Sequence, residues 1–115
     1  HLKQVFLNLI LNAEDAMSTG GTLRITTSVD PHAGSPASGS SPVVRITFSD
    51  TGIGMSREAI SRLFEPFFTT KEQGSGLGLS IAYSIVKAHH GEIGVTSQEG
   101  AGTTFTVYLP VTQGT

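Results

Sequence analysis

The sequence contains no cysteine, which excludes a disulfide framework, a cysteine nucleophile and a thiolate metal site. It also lacks tryptophan, and charged residues make up only 14% of its 115 positions. The seven Lys and Arg are scattered, so there is no basic surface of the kind that binds nucleic acid. No apolar run approaches the roughly 18 residues of a membrane span, so we expect no membrane contact by this domain. The length of 115 residues predicts a single domain with a modest core, and the absence of cysteine fits the reducing cytoplasm, where we expect this domain to act.

Glycine is abundant, with 14 residues, and two glycine-centred segments stand out: DTGIGM at 50–55 and GSGLGL at 74–79. Glycine lets backbone N–H groups come close to a phosphate, because no Cβ intervenes. The carboxylate of Asp50, beside the first segment, could accept a hydrogen bond from a purine amino group. One such segment is also typical of an ordinary turn. The two together, in one short chain, predict a nucleotide site.

Hydrophobic periodicity predicts three helices and four strands in the order α-β-β-α-α-β-β. The predicted helices span 2–17, 57–64 and 77–89, and the predicted strands span 22–29, 43–49, 92–97 and 103–109. This order predicts an α/β (α+β) two-layer sandwich, in which a mixed, largely antiparallel sheet carries helices on one face. In the first strand, Ile25 and Val29 alternate with polar residues, so we expect that strand to be half-buried. Residues 30–42, rich in Pro, Gly and Ser, are expected to form a flexible loop, and residues 65–76 a mobile segment.

Two asparagines and a glycine run could contact the rest of a nucleotide. Asn8 and Asn12 stand one helical turn apart, and amide oxygens are suitable ligands for Mg²⁺. Two solvated surface asparagines would produce the same pattern. Gly74, Gly76 and Gly78 precede a helix whose N-terminal N–H groups and dipole could bind phosphate, although a flexible hinge would also use glycine. There is no P-loop motif and no nucleophile elbow.

Five segments follow one another along the chain in an order that resembles a known family. They are QVFLNLILNA at 4–13, DTGIGM at 50–55, LFEPFFTTK at 63–71, GSGLGLS at 74–80 and GTTFTVYLP at 102–110. In that order they resemble the asparagine, first glycine, phenylalanine and second glycine boxes and the closing strand of sensor histidine kinases. The unit resembled is their catalytic and ATP-binding domain. The implied fold is the N-terminally truncated Bergerat fold, shared with gyrase, the heat-shock chaperone and mismatch-repair clamps.

The resemblance implies ATP and Mg²⁺ as ligands and a role for individual residues. It implies that Asp50 binds the adenine amino group, that Thr103 supports the adenine end, and that Asn12 holds Mg²⁺ with Asn8 secondary. Residues 65–76 would form the ATP lid. The implied nucleotide-binding residues are Asn8, Asn12, Asp15, Asp50, Gly52, Gly54, Met55, Arg62, Lys71, Gly74, Gly76, Leu77, Gly78, Leu79 and Thr103. The candidate catalytic residues are Asn8, Asn12 and Lys71.

The chain departs from the family pattern in ways that bear on function. Asp15 stands where many members carry a basic residue, so Lys71 and Arg62 become the candidates to neutralise phosphate charge. The helix and strand that normally precede the asparagine box are absent, so we expect this chain to be part of a longer kinase. No phosphoacceptor histidine of the expected kind is present, since His1 lies only three residues before Gln4. The expected acceptor is a histidine on the dimerisation domain of the same parent, which would in turn supply a response regulator.

Two other functions remain open from the sequence. One is an ATPase clamp of the same superfamily, but those enzymes place a Glu where Asn8 stands, and an amide cannot serve as a general base. Glu14 lies nearby on the helix but on a different face. The other is a non-catalytic domain that binds a nucleotide or a partner.

Overall fold

The computed structural model describes residues 1–30, 42–65 and 78–110. These residues form three helices and four strands in the predicted order. The elements are α1 (Leu2–Ala16), β1 (Leu23–Asp30), β2 (Val43–Asp50), α2 (Arg57–Arg62), α3 (Gly78–Ala88), β3 (Glu92–Gln98) and β4 (Gly102–Pro110). Their bounds agree with those expected from the sequence to within one or two residues.

The four described strands form one sheet in the order β1-β2-β4-β3, and all three pairings are antiparallel. The helices form the second layer: α1 packs over β2 and β4, α3 packs over β3, and the two helices pack against each other. This arrangement confirms the two-layer sandwich with a largely antiparallel sheet. It also brings the end of β2 and the start of β4 side by side at one edge of the sandwich.

The core lies between the sheet and the helices and uses the inward-facing residues of both layers. Its buried members are Val5, Leu9, Phe48, Leu63, Ala82, Val86, Ile93, Phe105 and Val107. The strand residues recur with period two and the helix residues with a spacing of four, so each set falls on one face of its element. The buried residues of β2, β3 and β4 therefore lie on the face of the sheet that the helices cover.

The expectation for β1 is wrong. Ile25 is 48% exposed and Val29 is 64% exposed, so this strand is not half-buried on its apolar face. The reason is position, because β1 is the edge strand over which no described helix packs, whereas α1 packs over β2 and β4 and α3 packs over β3, the strand at the other edge. Alternation shows which residues share a face, but it does not show whether another layer reaches that face.

Helix α2 is fixed at both ends. Ser56 caps its N-terminus, with its Oγ accepting a hydrogen bond from the Ala59 N–H at 3.1 Å, as N-cap serines do. Beyond its C-terminus, the ring of Phe64 packs against Tyr83 of α3, with 5.1 Å between centroids. The segment expected to form the ATP lid follows directly, and residues 66–76 of it lie outside the described residues, as do residues 31–41 of the expected loop.

Candidate functional site

Asp50, the last residue of the central strand β2, is a buried charged side chain, with 5% of its surface exposed. Its Oδ1 accepts hydrogen bonds from the Gly52 N–H at 2.9 Å and from the Thr103 N–H at 3.2 Å. Both lone pairs of Oδ1 are therefore used within the protein. Among the described residues, no donor bonds to Oδ2. The carboxylate is thus held in one orientation, with one oxygen left to accept from a ligand.

The loop after Asp50 is fastened to three other segments. The N–H of Ile53 donates to the carbonyl of Ala16 at the end of α1 at 3.0 Å, and the carbonyl of Ile53 accepts from the Gly100 N–H at 2.7 Å. The N–H of Met55 donates to the hydroxyl of Ser97 on β3 at 2.8 Å. These bonds hold residues 51–55 in place even though they belong to no helix or strand.

Two glycines at this edge are required by the backbone. Gly54 has φ +73° and Gly102 has φ +111°. Both values lie in the left-handed region, which residues other than glycine rarely adopt. A Cβ at Gly54 would collide with the carbonyl of Gln98, and one at Gly102 would collide with the carbonyl of Asp50. The glycines therefore allow the loop, the β3–β4 turn and β4 to approach each other closely.

Ser97 is a site residue that the sequence analysis missed. It is half-buried near the end of β3, and its Oγ lies 2.8 Å from Thr103 Oγ1 and 3.0 Å from the carbonyl of Gly102. It therefore joins the first glycine segment, through Met55, to Thr103 on β4. The sequence does contain a pattern that could have identified it. Ser97 follows Ile93 and Val95 at every second position of the strand, so it falls on the same inward face, where an apolar residue would be expected.

The asparagine pair lies on α1 and faces the start of α3. The Nδ2 of Asn8 donates to the carbonyl of Gly78, the first residue of α3, at 3.0 Å. Asn12 is half-buried one turn further along, and no described residue hydrogen-bonds to its side chain. Asn8 therefore links α1 to the start of α3, and the amide oxygen of Asn12 has no hydrogen-bond partner among the described residues.

The start of α3 has the features of an anion site. The first N–H groups of a helix have no partner within the helix, and its dipole favours negative charge there. In the described part of the chain, the first turn of α3 carries no acidic residue. Leu79 packs partly into the core and anchors this turn.

Two other predicted site residues, Arg62 and Asp15, are exposed. Arg62 at the end of α2 forms an exposed ion pair with Glu65, with 3.3 Å between Nε and Oε2, and Asp15 is exposed on α1. The assignment of both residues to nucleotide binding stays a prediction. Lys71, Gly74, Gly76 and Leu77 lie outside the described residues.

The described residues fit a purine nucleotide with a divalent cation. Asp50 offers an acceptor to an exocyclic amino group, and the N-terminus of α3 offers donors to phosphate. Asn12 offers an amide oxygen, a hard ligand that Mg²⁺ accepts alongside phosphate and water. Among the described residues, there is no group of three His, Cys, Asp or Glu that could hold a metal by itself. A cation here would therefore depend on the nucleotide for most of its ligands.

A known protein family matches nearly the whole chain. Residues 1–113 match the family described as histidine kinase-, DNA gyrase B- and HSP90-like ATPases. The chain belongs to this family. The resemblance noted in the five motifs is thereby confirmed, together with the fold that it implies.

Relatives within the family are sensor kinases. The chain is 45% identical to sporulation kinase E of Bacillus subtilis over 97% of its own length, and 44% identical to sensor histidine kinase ZraS of Escherichia coli over 96%. It spans 14% of the first relative and 22% of the second. The likeness therefore concerns one part of much longer proteins.

Solved structures give the same result for the fold. The catalytic domain of histidine kinase ThkA, in a nucleotide-free form, superposes with a TM-score of 0.74 at 36% identity, covering 94% of this chain and 64% of that one. Full-length ShkA in complex with AMPPNP superposes with a TM-score of 0.77 at 31% identity, covering 99% of this chain and 22% of that one.

In the described part of this chain, no helix is long and apolar enough to cross a membrane.

Proposed function

We propose that this domain binds ATP with Mg²⁺ and donates the γ-phosphoryl group to a histidine on a separate phosphoacceptor domain. The observation that carries the proposal is the buried carboxylate of Asp50, held through Oδ1 by two backbone N–H groups with Oδ2 left over. The sensor-kinase relatives and the AMPPNP complex of ShkA support the assignment of the ligand and of the reaction.

At the base end of the site, Asp50 selects the purine. Its free oxygen accepts a hydrogen bond from the amino group of adenine, and a charged acceptor makes that bond stronger than a neutral one. Guanine carries a carbonyl oxygen at the same ring position. Two acceptors would then face each other, and the buried carboxylate would lose its partner. The site is therefore expected to prefer ATP over GTP.

At the phosphate end, the chain binds and orients rather than reacts. The first turn of α3 donates N–H groups to phosphate oxygens, and Asn8 fixes that turn through the Gly78 carbonyl. Asn12 would hold Mg²⁺, which when bound neutralises phosphate charge during transfer. Phosphoryl transfer requires positioning and charge stabilisation more than covalent help from the protein. The nucleophile is the imidazole of the acceptor domain.

The direct test is nucleotide binding by Asp50→Asn. The carboxamide keeps an oxygen for the Gly52 and Thr103 N–H groups but turns its NH₂ towards the adenine amino group, so donor meets donor. We expect a loss of at least about 1 kcal/mol of ATP affinity, measured by calorimetry with Mg²⁺ present. The wild-type chain should bind ATP more tightly than GTP in the same experiment.

Glu58→Gln is the matched control, because it removes one negative charge from an exposed position in the first turn of α2. It should leave ATP affinity unchanged. Equal affinity of the wild-type chain for ATP and GTP, or equal loss in both variants, would contradict the role given to Asp50.

An ATPase clamp is the second candidate, because the family includes DNA gyrase B and HSP90-like enzymes. Asn8 argues against it. Its amide has no basic atom, and its Nδ2 is engaged with the Gly78 carbonyl, so it cannot activate water. We propose phosphotransfer rather than hydrolysis as the function, with a response regulator as the indirect recipient and the cytoplasm as the place of action.

A further inference from the structure

The hydroxyl group of Ser97 forms as many hydrogen bonds with its neighbours as a hydroxyl can. Its Oγ makes three contacts: with the Met55 N–H at 2.8 Å, with the Gly102 carbonyl oxygen at 3.0 Å and with Thr103 Oγ1 at 2.8 Å. A hydroxyl group has one proton to donate and two lone pairs to accept with. Three contacts therefore use its whole capacity.

The chemistry of two of these neighbours fixes the direction of the third bond. A backbone carbonyl can only accept, so the Ser97 proton goes to Gly102. A backbone N–H can only donate, so Met55 takes one Ser97 lone pair. The remaining lone pair must receive the proton of the Thr103 hydroxyl. Thr103 thus donates to Ser97 and keeps only lone pairs for any other partner.

Thr103 lies beside the selecting carboxylate. Its backbone N–H donates to Asp50 Oδ1, and both residues are at least 95% buried on the helix-facing side of the sheet. With the Thr103 proton committed to Ser97, this part of the site has two acceptors to offer, Asp50 Oδ2 and Thr103 Oγ1. A base that presents a hydrogen-bond donor can bond to these two acceptors, whereas a base that presents a carbonyl oxygen cannot.

We propose that Ser97 is a positioning residue that sets the hydrogen-bond polarity of the base pocket by holding the Thr103 hydroxyl as an acceptor. Ser97 thereby favours a purine with an exocyclic amino group over one with a carbonyl at the same ring position. The inference rests on the proposed nucleotide binding and adds the residue that sharpens base selection. Without the Ser97 hydroxyl, the Thr103 O–H group can rotate about the Cβ–Oγ1 bond and donate its proton to a ligand carbonyl.

The test compares ADP with IDP, which differ at that ring position by an amino group against a carbonyl oxygen. Calorimetry on the wild-type chain and on Ser97→Ala gives the ratio of the two affinities in each. We expect the preference for ADP to fall by about fivefold in Ser97→Ala, because a buried acceptor pair is partly replaced by a donor. Ser97→Thr, which keeps a hydroxyl on the strand, should retain the wild-type ratio.

Ser49→Ala is the matched control. Ser49 Oγ pairs with Thr104 Oγ1 at 2.9 Å, which is also a hydroxyl pair between neighbouring strands, but one residue along β4 and hence on the opposite face of the sheet. This variant should leave the ratio unchanged. A ratio that falls equally in Ser49→Ala and Ser97→Ala would mean a general loosening of the sheet and would overturn the proposal.

A double variant separates positioning from mere stability. If Ser97 acts through the Thr103 hydroxyl, Ser97→Ala should not change the ratio further in a Thr103→Val background. Independent effects would overturn the proposal, as would a wild-type ratio in Ser97→Ala. Should Ser97→Ala fail to fold, Ser97→Cys replaces it, because a thiol is only a weak acceptor for the Thr103 proton. A lowered ratio in Ser97→Cys with an unchanged one in Ser97→Thr supports the proposal, and an unchanged ratio in Ser97→Cys overturns it. If the wild-type chain binds neither nucleotide, the proposed function itself fails and this inference with it.

Discussion

At the scale of single residues, the site depends on how hydrogen-bonding groups are already used. Asp50 Oδ1 and Asn8 Nδ2 are occupied by the protein, whereas Asp50 Oδ2 and the Asn12 amide have no partner among the described residues. The motif pattern identified Asp50 and both asparagines from the sequence. It ranked Asn12 above Asn8 as the expected cation ligand, but it did not predict that Asn8 donates to the Gly78 carbonyl, because that contact depends on where α3 begins.

Asn12→Ala tests this division of roles. Removing a ligand of the cation should weaken ATP binding by about tenfold when Mg²⁺ is present and have little effect in excess chelator. Asn8→Ala is the comparison, because Asn8 contacts the protein and its loss should act to the same degree with and without Mg²⁺. Calorimetry in both buffers provides the measurement. An Asn12→Ala loss that persists undiminished in chelator would mean that Asn12 contacts something other than metal.

At the scale of helices and strands, hydrophobic periodicity predicted every described element and the two-layer arrangement. It failed at β1, whose alternation is regular but whose Ile25 and Val29 stay exposed. Period fixes which side chains share a face, whereas burial depends on the lateral reach of the helix layer, which no local pattern encodes. Ser97 was missed for a related reason, since the contact that joins it to the first glycine segment comes from Met55, which lies 42 residues away along the chain.

Paired Val-to-Thr changes test the corrected view of β1. Val29 is 64% exposed and Val107 is fully buried, and threonine has nearly the same shape as valine. Val29→Thr should change the free energy of unfolding by less than about 0.5 kcal/mol. Val107→Thr should lower it by about 2 kcal/mol, because it buries a hydroxyl in the core. Urea denaturation measures both, and similar losses in the two variants would mean that the face of β1 is covered.

The glycine segment gives a second prediction at this scale. Gly54 and Gly100 both have positive φ, at +73° and +81°, but a Cβ at Gly100 would meet nothing within 4 Å, whereas one at Gly54 would strike the Gln98 carbonyl. Gly100→Ala should therefore cost about 1 kcal/mol from backbone strain alone. Gly54→Ala should cost at least about 1 kcal/mol more and should also weaken ATP binding. Equal costs in thermal unfolding would show that the close approach at Gly54 is unimportant.

At the scale of the whole molecule, the described parts of the domain provide sites for a nucleotide but no evident acceptor for its phosphate. Two of the four histidines end α3, and the ring of His89 is engaged with the carbonyl of Ile85 at 2.8 Å between Nδ1 and O. The chain spans only 14% and 22% of two kinase relatives, and we propose that the phosphoacceptor histidine lies on another domain. The γ-phosphoryl group would then pass from this domain to that one.

The most direct test is to follow the γ-phosphate of radiolabelled ATP. The chain alone should bind ATP and release phosphate very slowly, because Asn8 offers no base for water. When the histidine-bearing helical domain of the parent kinase is added, the label should appear on that domain as an acid-labile phosphohistidine. It should be absent when the acceptor histidine is replaced, and strongly reduced with the Asp50→Asn chain. Rapid phosphate release by the chain alone, without labelling of the helical domain and abolished by a change at Glu14, would contradict the kinase account and favour a clamp-type ATPase.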